Sequence, residues 1–357
     1  MTLRVLALTR YGRLGASSRL RTHQFQPVLA KAGIDLTVAP LLRDEYLLRL
    51  HANRSVNWIH VFMDYARQLV RLSRALSFDL LWIEKELFPQ CPAWFEELLS
   101  EMDVPYIVDY DDAIFHNYDL GSKLLRFLLP RKIDTVMRKA SLVVCGNEYL
   151  AARARQGGAK RVEIVPTVID LRRYGSIDRT RRETLVIGWV GQPSGAKYLD
   201  RIAPILVDCG LKLDLELRVV GAEFAWPGLR VACRPWFEET EVHDIREFDV
   251  GIMPLVDSPW ERGKCGYKLI QYMGCALPVV ASPVGVNTQI VRQGQNGFLP
   301  STDTDWHDAI ISLGQDADCR RRMGELGRQV VEKEYCLDVA AIKIQALMTE
   351  VAALGRA

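Results

Sequence analysis

The chain has 357 residues, 49% of them hydrophobic and 25% charged, which is typical of a soluble globular protein with room for two domains. Its 46 basic and 44 acidic residues leave a formal charge of +2, so the overall charge gives no reason to expect a nucleic-acid partner. The eight cysteines are scattered without CxxC spacing and apart from the six histidines. We therefore expect reduced thiols, no zinc site and a cytoplasmic protein.

Neither a secretory nor a membrane-spanning segment is predicted. The first residues, MTLRVLALTRYGRLGAS, carry an apolar run that is too short and too interrupted for a signal peptide. No window approaches the roughly 18 uncharged apolar residues that a bilayer requires.

The first half of the chain alternates apolar runs with amphipathic segments, a pattern that predicts a doubly wound α/β domain. Strands are predicted at residues 3–9, 34–39, 80–83, 106–108, 141–144 and 163–165. Helices are predicted at residues 17–31 and 45–76.

The loop after the first predicted strand reads GRLGASSRLR and contains Gly15 and Ser17. Glycines and hydroxyls at the start of a helix favour contact with an anion or a sugar. The alternative is an ordinary serine cap on a helix whose Arg19 and Arg21 face solvent.

Two segments of the first half are both basic and amphipathic, residues 41–76 and 120–139. Arginines alternate there with large apolar side chains, a composition that suits an anionic membrane surface or a lipid-phosphate acceptor. The alternative is that these are helices packed on the core whose basic faces point to solvent.

An acidic cluster, Asp109, Asp111 and Asp112 with His116, follows the fourth predicted strand. Neighbouring carboxylates repel one another unless a positive charge or a proton lies between them. The cluster suits hydrogen bonding to sugar hydroxyls, acid–base chemistry with His116, or a divalent metal. The alternative is helix capping and solvation. Two further carboxylates at the neighbouring strand end, in the sequence Glu84-Lys-Glu86, would face the same cleft.

Residues 170–183 are polar, basic and without apolar periodicity, and we interpret them as an interdomain linker. Further strands are predicted at residues 185–190, 215–220, 250–253 and 278–281, and helices at 267–274 and 338–354. Two domains follow from this pattern, residues 1–172 joined by the C-terminal helix 338–357, and residues 183–335. A cleft between two such domains commonly binds ligands.

The segment IGWVGQPSGAKYL, residues 187–199, reads as strand, tight loop and helix. Gly191 follows the strand, and Lys197 is predicted to lie in the first helical turn. Because a cation there opposes the helix macrodipole, Lys197 either points into water or neutralises a bound anion.

Residues 249–286 predict a strand, a loop, a helix and a second strand, which form one βαβ unit. The loop carries Lys264 and the helix start carries Lys268, together with Gly263 and Gly266. Positive charge beside backbone that can be approached closely favours a phosphate-bearing ligand.

Three segments of the second half resemble the donor-binding domain of the retaining glycosyltransferases of family 4. VGQPSGAK resembles the family's Gly-Arg…Lys segment, with Lys197 at the position of the lysine that binds the donor diphosphate. DVGIMPL resembles the strand before the family signature, and KCGYKLIQYMGCALPVVASPVG resembles the signature itself. In the first half, the acidic cluster and VPTVID resemble the family's acceptor domain. The resemblance implies the GT-B architecture, two Rossmann-like doubly wound parallel-sheet domains facing across a cleft.

The chain departs from the family pattern at three positions. In the family, the first signature glutamate contacts the donor sugar and the second contacts the ribose of the nucleotide. These positions fall on Gly263 and Gln271. The family arginine falls on Gln192. Gln271 can still bond ribose hydroxyls as a neutral amide, whereas Gly263 offers no side chain.

The resemblance implies transfer of a sugar from a nucleotide-diphosphate donor to a saccharide or lipid-linked acceptor, with retention, in cell-envelope or polysaccharide biosynthesis. No obligatory metal or other cofactor is expected, because lysines can neutralise the diphosphate. The expected location is cytoplasmic, at the inner face of the membrane if the basic helices bind it. The alternative is a catalytically silent GT-B-like partner protein that binds nucleotide sugars. Neither the donor base, the sugar nor the oligomeric state follows from the sequence.

The predicted site consists of twelve residues. Those expected to hold sugar or acceptor are Asp109, Asp111, Asp112 and His116. Those expected around the donor are Gly15, Ser17, Gly191, Lys197, Lys264, Gly266, Lys268 and Gln271.

Overall fold

The computed structural model describes residues 2–52, 54–175 and 183–354. The chain divides into two compact units. The first consists of Met1–Thr167, Gly263–Cys265 and Leu337–Ala357, and the second of Val168–Arg262 and Gly266–Cys336. The chain thus returns to the first unit twice, for a three-residue loop and for a long C-terminal segment.

The first unit contains a parallel sheet of six strands in the order β2-β1-β3-β4-β5-β6. The strands are β1 Leu3–Thr9, β2 Ile34–Pro40, β3 Leu80–Glu84, β4 Tyr106–Tyr110, β5 Leu142–Cys145 and β6 Val162–Ile164. Val5 of β1 pairs with Leu36 on one side and Leu80 on the other. The central strands are buried along their whole length, which explains their continuous apolar sequences.

The second unit contains another parallel sheet of six strands, in the order β12-β11-β10-β7-β8-β9. The strands are β7 Leu185–Val190, β8 Leu215–Val220, β9 Val231–Arg234, β10 Val250–Met253, β11 Val279–Ala281 and β12 Gly297–Phe298. Gly251 pairs with Gly188 and with Val279, so β10 lies between β7 and β11.

Helices connect the strands of both sheets. In the first unit they are α1 Ala16–Arg21, α2 Gln26–Lys31, α3 Asp44–His51, α4 Trp58–Leu72, α5 Trp94–Glu101, α6 His116–Asp119, α7 Lys123–Leu128, α8 Lys132–Lys139 and α9 Glu148–Gln156. In the second they are α10 Pro193–Ala196, α11 Ala203–Gly210, α12 Glu241–Arg246, α13 Pro259–Arg262, α14 Tyr267–Gly274, α15 Asn287–Ile290, α16 Asp303–Gln315 and α17 Ala317–Glu334. The last helix, α18 Leu337–Leu354, belongs to the first unit. None of the described helices is long and apolar enough to cross a lipid bilayer.

The predicted fold class is confirmed: the protein is an α/β protein with two parallel six-stranded sheets. Two predicted helices are interrupted. The segment 17–31 breaks at a 3-10 turn, His23–Phe25, and resumes where Pro27, which has no N–H to donate, stands in the first turn of α2. The segment 45–76 breaks before Asn57, whose side chain caps the start of α4.

Two strands of the second sheet were not predicted, β9 and the two-residue β12. β9 is a short edge strand whose side chains are all half-buried, so its sequence shows neither a long apolar run nor a clear alternation. In the predicted linker, Leu171–Arg173 forms a 3-10 turn, while residues 176–182 lie outside the described residues. The predicted domain boundaries at residues 172 and 183 stay a prediction.

Candidate functional site

The order of the first sheet reverses beside β1, because β2 lies on one side of it and β3 on the other. Open parallel sheets bind ligands at such a reversal, outside the carboxyl ends of the strands. Two serines of α1 lie there against the end of β3. Ser18 Oγ donates to Glu84 Oε2 over 2.6 Å, and Lys85 Nζ donates to Ser17 Oγ over 3.0 Å.

Lys85 is the functional candidate that sequence reasoning missed. Its Nζ lies 2.9 Å from Asp111 Oδ1, and its backbone φ is +66°. A residue with a Cβ adopts that conformation rarely, and such strained positions cluster at functional sites. The available signal was a lysine between two glutamates directly after a strand, which we interpreted only through its carboxylates.

The pKa values of the neighbouring Asp111 and Asp112 are shifted in opposite directions. Burial opposes ionisation of Asp111, but Lys85 and Ser17 outweigh it and the pKa of Asp111 is lowered. Burial raises the pKa of Asp112, and the negative charge of Asp111 adds to the effect. Two carboxyl groups whose pKa values are pushed apart can divide acid and base roles. The surroundings therefore favour ionisation of Asp111 and oppose that of Asp112.

Asp109 is buried and paired with Arg21. Arg21 Nε donates to Asp109 Oδ1 over 2.9 Å and Nη2 to Oδ2 over 3.2 Å, while Nη1 donates to Val165 O over 2.8 Å. The alternative interpretation of α1, with Arg19 and Arg21 in solvent, is wrong because both side chains are buried. The residue preceding α1 is Gly15, which provides no side-chain cap. The Arg21–Asp109 pair therefore holds α1 against β4.

His116 lies on α6, and both of its ring nitrogens are engaged. Nδ1 lies 2.8 Å from Asp119 Oδ1, and Nε2 lies 2.8 Å from the Tyr149 hydroxyl. These two contacts use the atoms that acid–base work with the aspartates would require. The structure therefore brings Ser17, Asp111 and Asp112 together with Lys85 but directs His116 elsewhere.

The loop Gly263–Cys265 is fixed within the first unit. Asn147 Nδ2 donates to Gly263 O over 2.9 Å and to Lys264 O over 3.0 Å. Cys265 Sγ donates to Asp111 O over 3.1 Å, and burial raises the pKa of this thiol to about 12. Lys264 lies near enough to Asp112 to favour its ionised form.

Gly263 has no room for a side chain. A Cβ built on it would lie 2.4 Å from Ala113 Cβ and 3.0 Å from Ala113 N, closer than real Cβ atoms approach. A glutamate at residue 263 would require this loop to move away from β4.

In the second unit the strand order reverses between β7 and β10. Lys268, in the first turn of α14, lies there with its Nζ 4.0 Å from the centre of the Trp189 ring. A Cβ on Gly191 would lie 2.6 Å from that Nζ. Gly266 precedes α14 with a φ of +65°. The start of α14 thus offers a lysine and backbone N–H groups beside a strand end where the absence of a side chain on Gly191 lets Lys268 and Trp189 come close to the backbone.

Lys197 does not lie in the first turn of a helix, as the sequence suggested. α10 has only four residues, and Lys197 caps its C-terminus, where a cation is favoured by the macrodipole. The argument that Lys197 opposes the dipole is therefore wrong. Its side chain is exposed and its Nζ lies 5.2 Å from the Tyr198 ring centre.

Gln271 is fully buried, and its Nε2 donates to the Tyr174 hydroxyl over 3.2 Å. Glu261, which sequence reasoning did not single out, is also buried and accepts hydrogen bonds from the Tyr198 and Ser258 hydroxyls. Among the residues that the structure describes, no three His, Cys, Asp or Glu side chains are grouped so that they could hold a metal ion.

The geometry of the second unit agrees with a family comparison. Residues 182–316 match the model of the family described as glycosyl transferases group 1. This segment is therefore similar to the group 1 glycosyl transferase domain. It contains both β7 and β10 and the lysine of α14.

One curated relative is D-inositol 3-phosphate glycosyltransferase of Paenarthrobacter aurescens (strain TC1), 24% identical over 221 residues. The match covers 54% of this chain and 53% of the relative, so the chain spans about half the length of the curated relative that it matches.

Solved structures similar over nearly the whole chain share the fold. Sucrose-phosphate synthase from Thermosynechococcus elongatus is 15% identical, with 99% of this chain and 100% of that chain covered and a TM-score of 0.71. A glycosyltransferase from Rickettsia africae ESF-5 is 12% identical, with 98% of each chain covered and a TM-score of 0.68. Alr3699/HepE of Anabaena, in complex with UDP and glucose, is 15% identical over 98% of this chain and 100% of that chain, with a TM-score of 0.66.

Proposed function

We propose that the protein is a retaining glycosyltransferase that moves a sugar from a nucleotide-diphosphate donor to a saccharide or lipid-linked acceptor in polysaccharide or cell-envelope biosynthesis. The observation that carries the proposal is Lys268, held over Trp189 beside the bare backbone of Gly191. This constellation stands at the strand reversal of a domain that matches the group 1 glycosyl transferases.

The donor diphosphate lies, in this proposal, against the start of α14. Its charge is met by Lys268 and by the backbone N–H groups that follow Gly266, and Gly191 leaves space for the phosphates. Lys197, which is exposed, is proposed to supply a second cation. Lys264, Gly15 and Ser17 of the first unit stay predicted donor residues, and Gln271 is proposed to bind the ribose after giving up its bond with Tyr174.

The acceptor is proposed to bind at the carboxyl edge of the first sheet. There Asp111 is kept charged by Lys85, and Asp112 retains a proton more readily. A charged and a protonatable carboxyl group can accept and donate hydrogen bonds to sugar hydroxyls. Asp109 supports this edge through Arg21.

Departure of the nucleoside diphosphate leaves an oxocarbenium-like sugar, so the leaving charge must be stabilised. The lysines are proposed to do this without an obligatory divalent ion. Two measurements bear on these points: turnover in excess chelator, and the anomeric configuration of the product by NMR. Loss of activity on chelation would contradict metal independence, and an inverted anomer would contradict retention.

The donor assignment is tested by calorimetric titration of UDP-, GDP- and ADP-sugars. UDP-sugars come first because the Anabaena neighbour was solved with UDP. We expect Lys268→Met to weaken binding of the preferred donor about tenfold or more, since hydrogen bonds to a charged phosphate contribute roughly 1.5–3 kcal/mol. Lys333→Met, an exposed lysine of α17, is the matched control. Unchanged donor affinity in both Lys268→Met and Lys197→Ala would refute the assignment.

A second candidate is a nucleotide-sugar-binding protein without transferase activity. The observation in its favour is that Gln271 is bonded to Tyr174 while residue 263 has no space for a side chain. Donor binding without hydrolysis or transfer to any acceptor would favour this candidate. Slow donor hydrolysis would favour the transferase.

A further inference from the structure

Helix α4 exposes most of its large apolar side chains to solvent, whereas its two fully buried side chains, Asp64 and Gln68, are polar. Trp58 and Phe62 are 74% and 75% exposed, whereas Asp64 and Gln68 are 2% and 1% exposed. This is the reverse of an amphipathic helix that packs on a core. The alternative drawn from the sequence, basic helix faces outside and apolar faces inside, does not describe α4.

The exposed apolar side chains of α4 form one continuous face. They are Trp58, Ile59, Phe62, Met63, Leu69 and Val70. At about 100° per residue these positions occupy a stripe roughly 140° wide that runs the length of the helix. Monomeric soluble proteins rarely expose so many large apolar groups together unless the surface binds something.

Helix α7 adds a second exposed apolar surface. Leu124, Phe127 and Leu128 are exposed, Phe127 to 83%, and Leu125 alone among its apolar residues packs on the core. Lys123 and Arg126 of the same helix are exposed. We refer to the exposed residues of α4 and α7 together as the apolar–basic surface.

Helix α4 and the helix that precedes α7 both form hydrogen bonds to one loop. The Tyr65 hydroxyl of α4 donates to Pro89 O over 3.0 Å. The next residue, Gln90, donates its N–H to the hydroxyl of Tyr118, over 2.9 Å, in the helix that precedes α7. The two exposed surfaces therefore belong to one connected part of the first unit.

The charge of the apolar–basic surface indicates the kind of partner that it binds. Between residues 54 and 76 the only carboxylate is Asp64, which is buried and paired with Arg43 and Arg67. Residues 120–132 contain no carboxylate. The apolar–basic surface therefore presents large apolar groups and positive charge without an exposed negative charge of its own.

We propose that the first unit docks on an anionic lipid membrane through α4 and α7. An interfacial helix places its apolar face at the boundary of headgroups and acyl chains, and flanking basic residues meet anionic headgroups. A symmetric pairing of two copies would bring the same basic residues face to face. A bilayer supplies apolar volume and negative charge together.

The test is co-sedimentation of the full chain with vesicles of phosphatidylcholine, with and without phosphatidylglycerol. We expect binding that requires phosphatidylglycerol and weakens as salt rises. Phe62→Ser and Phe127→Ser should each lower the partition constant about tenfold, since each removes an apolar side chain from the lipid. Both residues are exposed, so the variants should keep the wild-type unfolding temperature.

Leu211→Ser is the matched control, because Leu211 of the second unit is 82% exposed and belongs to a different surface. Its partition constant should equal that of the wild type. The proposal fails if the wild type does not sediment with anionic vesicles at low salt, or if Phe62→Ser binds them equally well. A dimer in sedimentation velocity that Phe62→Ser abolishes would show instead that a second copy covers the surface. Calorimetric titration of the donor in solution tests the proposed transferase site separately. Failure of membrane binding and failure of the donor site can therefore be distinguished.

Discussion

Replacing Lys85 by methionine removes the cation that pairs with Asp111 while keeping the length of the side chain. Lys85 Nζ lies 2.9 Å from Asp111 Oδ1, and the two side chains are only 8% and 14% exposed. Removing one partner of a buried ion pair costs about 3–5 kcal/mol, since the other charge is left uncompensated. Because Asp111 keeps some contact with water, we expect the lower end, about 3 kcal/mol of unfolding free energy. Methionine also has a Cβ, so the strain of the +66° φ is unchanged.

The unfolding free energy lost in Lys85→Met should depend on pH, in a direction set by the lowered pKa of Asp111. The pKa of Asp111 is lowered in the folded protein, so its stabilising effect is present above the ordinary range of aspartate and is lost as pH falls through the lowered value. Without Lys85 that lowering largely disappears. The difference in stability between wild type and Lys85→Met should therefore be largest near neutral pH and should shrink towards about pH 3.

Urea unfolding at several pH values measures this difference, and hydrogen exchange of β3 and β4 peptides assigns it to the first unit. Lys160→Met replaces an exposed lysine and should change stability by no more than about 0.5 kcal/mol. The reasoning is refuted if Lys85→Met is as stable as the wild type at neutral pH, or if its deficit is the same in acid. In a double-mutant cycle, Asp111→Asn should recover part of the deficit, because no buried charge is then left alone.

Three further predictions concern the geometry around both strand reversals. Arg21→Lys should lower the unfolding free energy by about 2 kcal/mol or more in thermal unfolding, because an ammonium cannot reproduce a fork of three bonds. Gly191→Ala should weaken donor binding in calorimetry and also lower stability, because its Cβ would lie 2.6 Å from Lys268 Nζ and 2.8 Å from the buried Trp189 ring. Gly210→Ala, where an added Cβ meets open space, should change neither. Asn147→Asp should keep the cap of α9 but lose both donors to the loop 263–265, so amide exchange of that loop should accelerate while α9 stays protected.

Much of the fold was accessible from the sequence, because apolar runs in a fully buried parallel sheet are local and unambiguous. β1 was predicted with its observed bounds, Leu3–Thr9, as was α14, Tyr267–Gly274. β9 was missed because an edge strand with half-buried side chains lacks that signal. The two strand reversals follow from chain order together with pairing, and pairing cannot be deduced from hydrophobicity alone.

The arrangement of the site was harder to predict from the sequence, because it depends on where each side chain points as well as on its residue type. The left-handed backbone at Lys85 turns its side chain onto Asp111, and no local pattern predicts this for a lysine. The sequence of α4 reveals that the helix is amphipathic but not which face is covered. The placement of Lys197 changed because α10 ends after four residues, and the length of so short a helix is set by packing.

The return of α18 to the first unit has a consequence for biosynthesis. Its buried face packs against α2, β3 and β4, and it includes Ala340, Ala341, Ile344, Leu347, Met348 and Val351. A ribosome must therefore synthesise the whole second unit before the first can cover that side of its sheet, a delay on the order of ten seconds at ordinary elongation rates. During that interval the nascent chain exposes apolar surface that a chaperone could bind. Variants that weaken α18 should thus lower the yield of folded protein in cells more than their effect on equilibrium stability implies.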